Sequence, residues 1–234
     1  MTSGSAIIQK NLASKLLDVN GNNSGNFVVG YPETMFTNEN GLTTLISQDY
    51  NWFLTTVNGK RICEDYFGDI LITQVGDEGN EIWGTTIPLV QNHNSYKHFY
   101  NEMEFKKQNP NIFIFNDHPE DYYPRQFVGS NNFNYGGNQY VIYNDYEKNF
   151  SIGVGKRRDT VFDFSVTNTV VCKIDKKNNL NKAHLFGLPT KGNYNCTFIE
   201  SADMDEKRGI YATLVQNKSE GKISMCMSWV NLEK

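Results

Sequence analysis

No stretch of the chain offers about 18 consecutive apolar residues, so the sequence contains no helical membrane span. No two cysteines have CxxC spacing, which excludes a zinc ribbon and a thioredoxin-like redox motif. HExxH, GxSxG, the P-loop and GxGxxG are missing too, and Gly153-Val154-Gly155-Lys156 lacks the spacing of a phosphate cradle. The Ser-x-Asp-x-Gly-x-Thr-Trp box of sialidase propellers does not occur. Nor is there an excess of positive charge. Against 22 basic residues stand 26 acidic ones, for a net charge of −4, which argues against a nucleic-acid partner. Alanine is scarce, and helical periodicity is confined to residues 6–19, AIIQKNLASKLLDV.

What is present favours strands and turns. The 13 Tyr and 15 Phe suit pleated, half-buried surfaces, and the 19 Gly and abundant Asn suit tight connections. Residues 1–25 read as an N-terminal tail or short helix, and residues 26–234 as one β domain. The tail as it stands lacks the basic start and apolar stretch of an export signal. Cys172, Cys196 and Cys226 fall inside apparent strands and, with Cys63, read as free, buried thiols acting as small hydrophobes. One disulfide stays open if the protein is exported.

The stretch from Gly68 to Pro88 is the clearest structural unit. Asp69–Val75 and Glu81–Ile87 form two strands joined by a turn at residues 76–80, where Gly79 and Asn80 tolerate positive φ, and Pro88 ends the second strand. Asn58-Gly59 is the strongest two-residue hairpin signal. In contrast, residues 89–98 (LVQNHNSYKH) and 130–137 (SNNFNYGG) read as loops, and Val161–Ser165 as a strand. About fifteen short strands separated by turn signals indicate a sandwich, barrel or propeller.

An internal echo favours the propeller. Ile46 and Ile142 lie 96 residues apart, each in an apolar run before a strand-turn-strand unit, and Val75 and Ile174, within those units, lie 99 apart. Gly79 in the first turn corresponds to Asn178 in the second, and both residue types suit the left-handed region. A spacing near 97 equals two blades of about 40 to 50 residues. The expected fold is therefore an all-β, propeller-like array of about four to five four-stranded antiparallel blades, with a β-sandwich as the alternative. A half-ring would expose strand edges and dimerise.

Gly68-Asp69-Ile70, Gly79-Asn80, Trp83, Ile87-Pro88, Asn116-Asp117, Asn144-Asp145 and the hairpin from Ile174-Asp175 to Leu185-Phe186 carry a resemblance. In their order, the chain from about residue 30 resembles β-propeller proteins of Bacteroidetes. That resemblance implies an exported protein, in the periplasm or at the cell surface, and it brings no reaction with it.

Candidate site residues come from two Asn-Asp pairs, each closing an apolar run before an aromatic loop. They are Asn116 and Asp117 with Tyr122 and Tyr123, and Asn144 and Asp145 with Tyr146. Asx side chains cap turns by accepting backbone N–H groups, which is the plainer reading. Facing one mouth of a ring, the same residues would offer carboxylates and aromatic rings to a glycan, peptide or protein. No metal and no cofactor is expected. His93, His98, His118 and His184 read as surface histidines, and Lys156-Arg157-Arg158 and Lys176-Lys177 as solvated turns. Asp77-Glu78-Gly79-Asn80-Glu81 reads as a hairpin turn and not a calcium loop.

The sequence thus supports a non-enzymatic binding or scaffold module. Two other readings stand beside it. One is a glycan-directed hydrolase using two carboxylates about 5 to 9.5 Å apart, drawn from Asp65, Asp69, Asp117, Asp145 and Asp163. The other is a self-assembling structural protein.

Overall fold

The computed structural model describes residues 31–38, 41–57, 60–76, 79–96, 127–205 and 207–232. Expectations for residues 1–25, for a strand at 99–105 and for the run 111–115 lie outside them. The described residues are all-β, arranged as three antiparallel sheets with three single 3₁₀ turns. Sheet one holds β1 (Tyr31–Thr37), β2 (Thr43–Val57), β3 (Lys60–Val75), β4 (Glu81–Ile87) and β5 (Gln91–Tyr96). Its order is β1-β2-β3, and β4 and β5 sit end to end along the far edge of β3. Sheet two is β6 (Ser130–Tyr135), β7 (Asn138–Asp145), β8 (Asn168–Ile174) and β9 (Leu180–His184), in that order. Sheet three is built on β12 (Ile210–Ser219), with β13 (Lys222–Asn231) on one edge. Along the other edge lie β10 (Tyr194–Thr197) and β11 (Asp203–Asp205).

Turn chemistry explains the hairpins. Gly76 N–H donates to Asn80 O, and Gly79 N–H donates back to Gly76 O. Asp175 and Asn178 repeat this pattern with Asn179, as Asn38 and Gly41 do with Leu42. In all three turns the fourth residue is left-handed: Gly41 at φ 78°, Gly79 at 72° and Asn178 at 65°. This is a three-residue loop closed by a bulge, which requires Gly or Asn at that place. The Gly79–Asn178 correspondence read from the sequence is thus a correspondence of backbone geometry. Asn80 is not among the residues with positive φ.

Sheet two lies between the other two, and its strands show it. On β7, Val141 and Tyr143 face sheet one and join Ile46, Ile70, Ile72, Ile87 and Leu89, with Val170, Cys172 and Ile174 from β8. The alternate residues Tyr140 and Ile142 face sheet three and meet Phe133, Ile199 and Tyr211. A strand buried on both faces reads as an unbroken apolar run, as 140–143 does. A third cluster brings Phe67 of β3 and Cys196 of β10 together with Phe127, Val128, Val161, Phe164 and Phe198 from the connecting segments. Within it the Phe127 and Phe198 rings lie 4.3 Å apart.

Three local expectations are corrected. Residues 91–96, polar in sequence, form β5 because β4 covers only the Ile70–Val75 end of β3 and leaves Ile62–Phe67 to be paired. Ser130–Tyr135 is a strand and not a loop; the turn is confined to Gly136 and Gly137, at φ 59° and 75°. Val161 makes a single parallel bridge to Gln91, and Phe164–Val166 is a 3₁₀ turn capped by the Asp163 side chain.

Replacing Asn178 by Val puts a β-branched residue into the left-handed region and is expected to destabilise the fold by about 1–2 kcal/mol, while Asn178→Gly stays within a few tenths. Urea denaturation of both variants measures the difference, and equal midpoints would contradict the turn assignment.

Candidate functional site

The sequence-derived residues divide by position. Asn116, Asp117, Tyr122 and Tyr123 lie outside the described residues. Asn144, Asp145 and Tyr146 are described, and the first two are buried. Asn144, at the end of β7, makes bonds in four directions. Its Nδ2 donates to Phe127 O (2.9 Å) and Thr197 O (2.7 Å). Its Oδ1 accepts from Thr169 Oγ1 (2.9 Å) and Thr197 N–H (3.0 Å). Its carbonyl accepts from Gln91 Nε2 at 2.7 Å. One side chain and its backbone therefore tie sheet two to β5 of sheet one and β10 of sheet three.

Asp145 organises the loop that follows. Its Oδ1 accepts from Tyr146 N–H (2.8 Å) and Asn149 Nδ2 (2.7 Å), and its Oδ2 from Arg158 Nη2 (2.9 Å). Both partners of this ion pair are withdrawn from solvent. Arg158 also donates to the carbonyls of Asn149 and Ile152. Buried charges persist when they are paired and fully bonded, and this pair nearly is. Tyr146 Oη accepts from Phe162 N–H and Asp163 N–H, each at 3.2 Å. The bonds of Asn144 and Asp145 are thus internal; Asp145 accepts the neighbouring Tyr146 N–H as an Asx cap does, whereas the side chain of Asn144 bonds segments distant in the chain.

The basic run is corrected in one residue: Lys156 and Arg157 are exposed, but Arg158 is buried. His93 is also buried, paired at 3.8 Å with Asp65, which accepts a bond from Tyr50 Oη. His184 stacks on Phe150 and pairs with Glu147, and burial holds its imidazole below the ordinary histidine range. Neither is a plain surface histidine. Cys172 and Cys196 are buried, and burial pushes the Cys172 thiol up to about 11; Cys226 is exposed, contrary to expectation. Among the described residues no three His, Cys, Asp or Glu side chains gather as metal ligands would.

An open, polar cleft of about 390 Å³ lies where edge strands β1 and β6 approach, beside β2, β3 and the turn Ile199–Ser201. Glu33 and Thr34 line it from β1, Ser130, Asn131 and Asn132 from β6, and Glu200 from the turn, with Phe67 among the wall residues. Asn131 Nδ2 donates to Ile199 O, and Ser130 and Asn132 bond each other. Gly129 also lines the cleft, and it is held through the Asn144 centre: Gln91 accepts its N–H at 2.7 Å while donating to Asn144 O. Its φ of 79° requires glycine. The sequence signal for this cleft, Ser130-Asn131-Asn132, lay in a segment read as loop.

A second group of acids sits at the irregularity of β2 and β3, where Asp49 on one strand faces Gly68 and Asp69 on the other. A Cβ on Gly68 would come within 2.6 Å of Asp49 Oδ2. Burial raises the Asp49 carboxyl above its ordinary value. Burial also raises Asp69, and Asp49 adds to that lift against the Leu89 N–H bond and the charge of Arg158. The Tyr66 phenol is raised by burial and then by both acids.

Two outcomes follow. Arg158→Met leaves Asp145 buried without its cation and is expected to destabilise the fold by about 3–5 kcal/mol, while adding Asp145→Asn restores part of the loss. Urea titrations of the single and double variants check this, and a single variant as stable as the parent would refute it. For Asp49 and Asp69 the native carboxyls bind protons more tightly than the unfolded ones. Their contribution therefore favours the fold at low pH and declines as pH rises from the unfolded carboxylate range, about 4, through the raised native values. Asp49→Asn should flatten that decline in a pH series of unfolding midpoints; an unchanged slope would contradict the assignment.

Compared with protein-family models, with curated proteins and with solved structures, the chain matches none.

Proposed function

We propose that this protein is a non-enzymatic binding module whose cleft between β1 and β6 takes a neutral oligosaccharide. The carrying observation is the make-up of the cleft: carboxylates, side-chain amides and hydroxyls line it, with no Lys or Arg among the described residues there. Such a lining suits a ligand that both donates and accepts hydrogen bonds, and it disfavours phosphate or another anion. Phe67 supplies an apolar wall of the kind a sugar face packs against. The site rests on strands held by the Asn144 network, so its geometry is set before ligand arrives.

The same reading takes the three sheets as blades of a propeller-like array. Supporting it are the face-to-face packing of sheets successive in the chain and the shared turn geometry of residues 76–80 and 175–179. A second reading, glycan hydrolysis, draws on Asp49 facing Asp69 across the β2–β3 irregularity, both carboxyls raised by burial, since that chemistry uses a pair of neighbouring carboxyl groups.

A neutral-glycan array followed by calorimetry tests the proposal. Binding is expected, with Asn132→Ala and Glu200→Gln each weakening it about tenfold, as loss of a buried polar contact does. Binding of anionic ligands alone, or indifference to both substitutions, would overturn it. Product analysis of the same mixtures separates the readings: turnover lost in Asp69→Asn would replace binding by hydrolysis.

A further inference from the structure

Strand β13 has one strand neighbour among the described residues, β12, and the two run together for ten pairs with no bulge. Other exposed edges carry protection. On β1 stand Pro32, Glu33 and a register shift, on β9 stands Lys182, and β6 is short and polar. From Ile223 to Asn231, β13 has no charge, no proline and no glycine. An edge without charge, proline or bulge is a template for another strand.

One face of β13 is apolar as well. Ile223, Met225, Met227 and Trp229 alternate along it and are 57, 56, 51 and 67% exposed. Together they present on the order of 500 Å² of apolar surface, against roughly 800 Å² per partner in a stable interface. Edge pairing covers the flank of each of these side chains with its cross-strand neighbour and buries the backbone edge. Small residues, Ser224, Cys226 and Ser228, occupy the other face.

We propose that β13 pairs antiparallel with β13 of a second copy about a two-fold axis, making sheet three continuous across a homodimer. A sheet edge that pairs with itself needs a self-complementary register, and one register pairs every apolar residue of the stripe with another. It sets Ile223 opposite Trp229 and Met225 opposite Met227, and it places Cys226 opposite its own copy on the axis. No like charges face each other in it. This dimer leaves the β1–β6 cleft open and stands independently of the ligand assigned there.

Sedimentation equilibrium of the full chain should give a two-chain mass at about 10 µM, and Met225→Lys, which puts an edge cation into the exposed stripe, should weaken dimerisation at least tenfold. Far-UV circular dichroism establishes that this variant is folded. Oxidation with diamide should cross-link the parent through Cys226, located by peptide mapping, and Cys226→Ser should abolish the cross-link. A one-chain mass up to about 100 µM overturns the proposal, as does a dimer indifferent to Met225→Lys. A dimer that does not cross-link through Cys226 overturns the register.

Discussion

The fold turns on a polar side chain placed where three apolar layers meet. Asn144 ends a strand that is otherwise buried on both faces, and its amide and carbonyl reach Phe127, Thr169, Thr197 and Gln91. Hydrophobic burial alone fixes that sheets one, two and three pack, but it is non-directional and leaves their relative slide loosely set. Directional bonds in a water-excluded place set it, because each would leave an unsatisfied buried group if the sheets shifted. Asp145 and Arg158 extend the same logic to the following loop, winding residues 146–159 around one ion pair.

That arrangement has a functional corollary. Gln91 passes the constraint from Asn144 to Gly129, which carries the cleft strand β6. The pair Asn144-Asp145, which the sequence marks as unusual, is internally bonded, and polar surface opens a short distance away on Ser130 and Asn132. Supporting residues and solvent-facing residues share one strand pair here, β6 with β7.

Sequence pattern revealed what local chemistry dictates. The hairpin from Asp69 to Ile87, the left-handed Gly79 and Asn178, and the apolar run closed by Asn144-Asp145 were legible because each depends on a few neighbouring residues; the burial of that run on both faces was not, since it takes two distant sheets. Strand β5 was not, since Gln91–Tyr96 is extended only because distant Ile62–Phe67 needs a partner. Arg158 was hidden in a run of three cations, because burial of a charge is decided by a carboxylate thirteen residues away. Ser130-Asn131-Asn132 carries loop-forming residues, and only pairing with Val141–Tyr143 makes it a strand edge. The cleft joins β1, β6 and the turn Ile199–Ser201, far apart in the chain, so its one sequence signal, Ser130-Asn131-Asn132, did not show what it would face.

The long strands β3 and β12 each hold two short strands end to end on one edge. Each also enters two clusters: Phe67 lies in one and Ile70 and Ile72 in another, while Tyr211 lies in one and Leu214 packs on another. A strand shared in this way welds the cores together. Opening one core strips apolar cover from its neighbours, so the described layers are coupled in stability and not held as separate units.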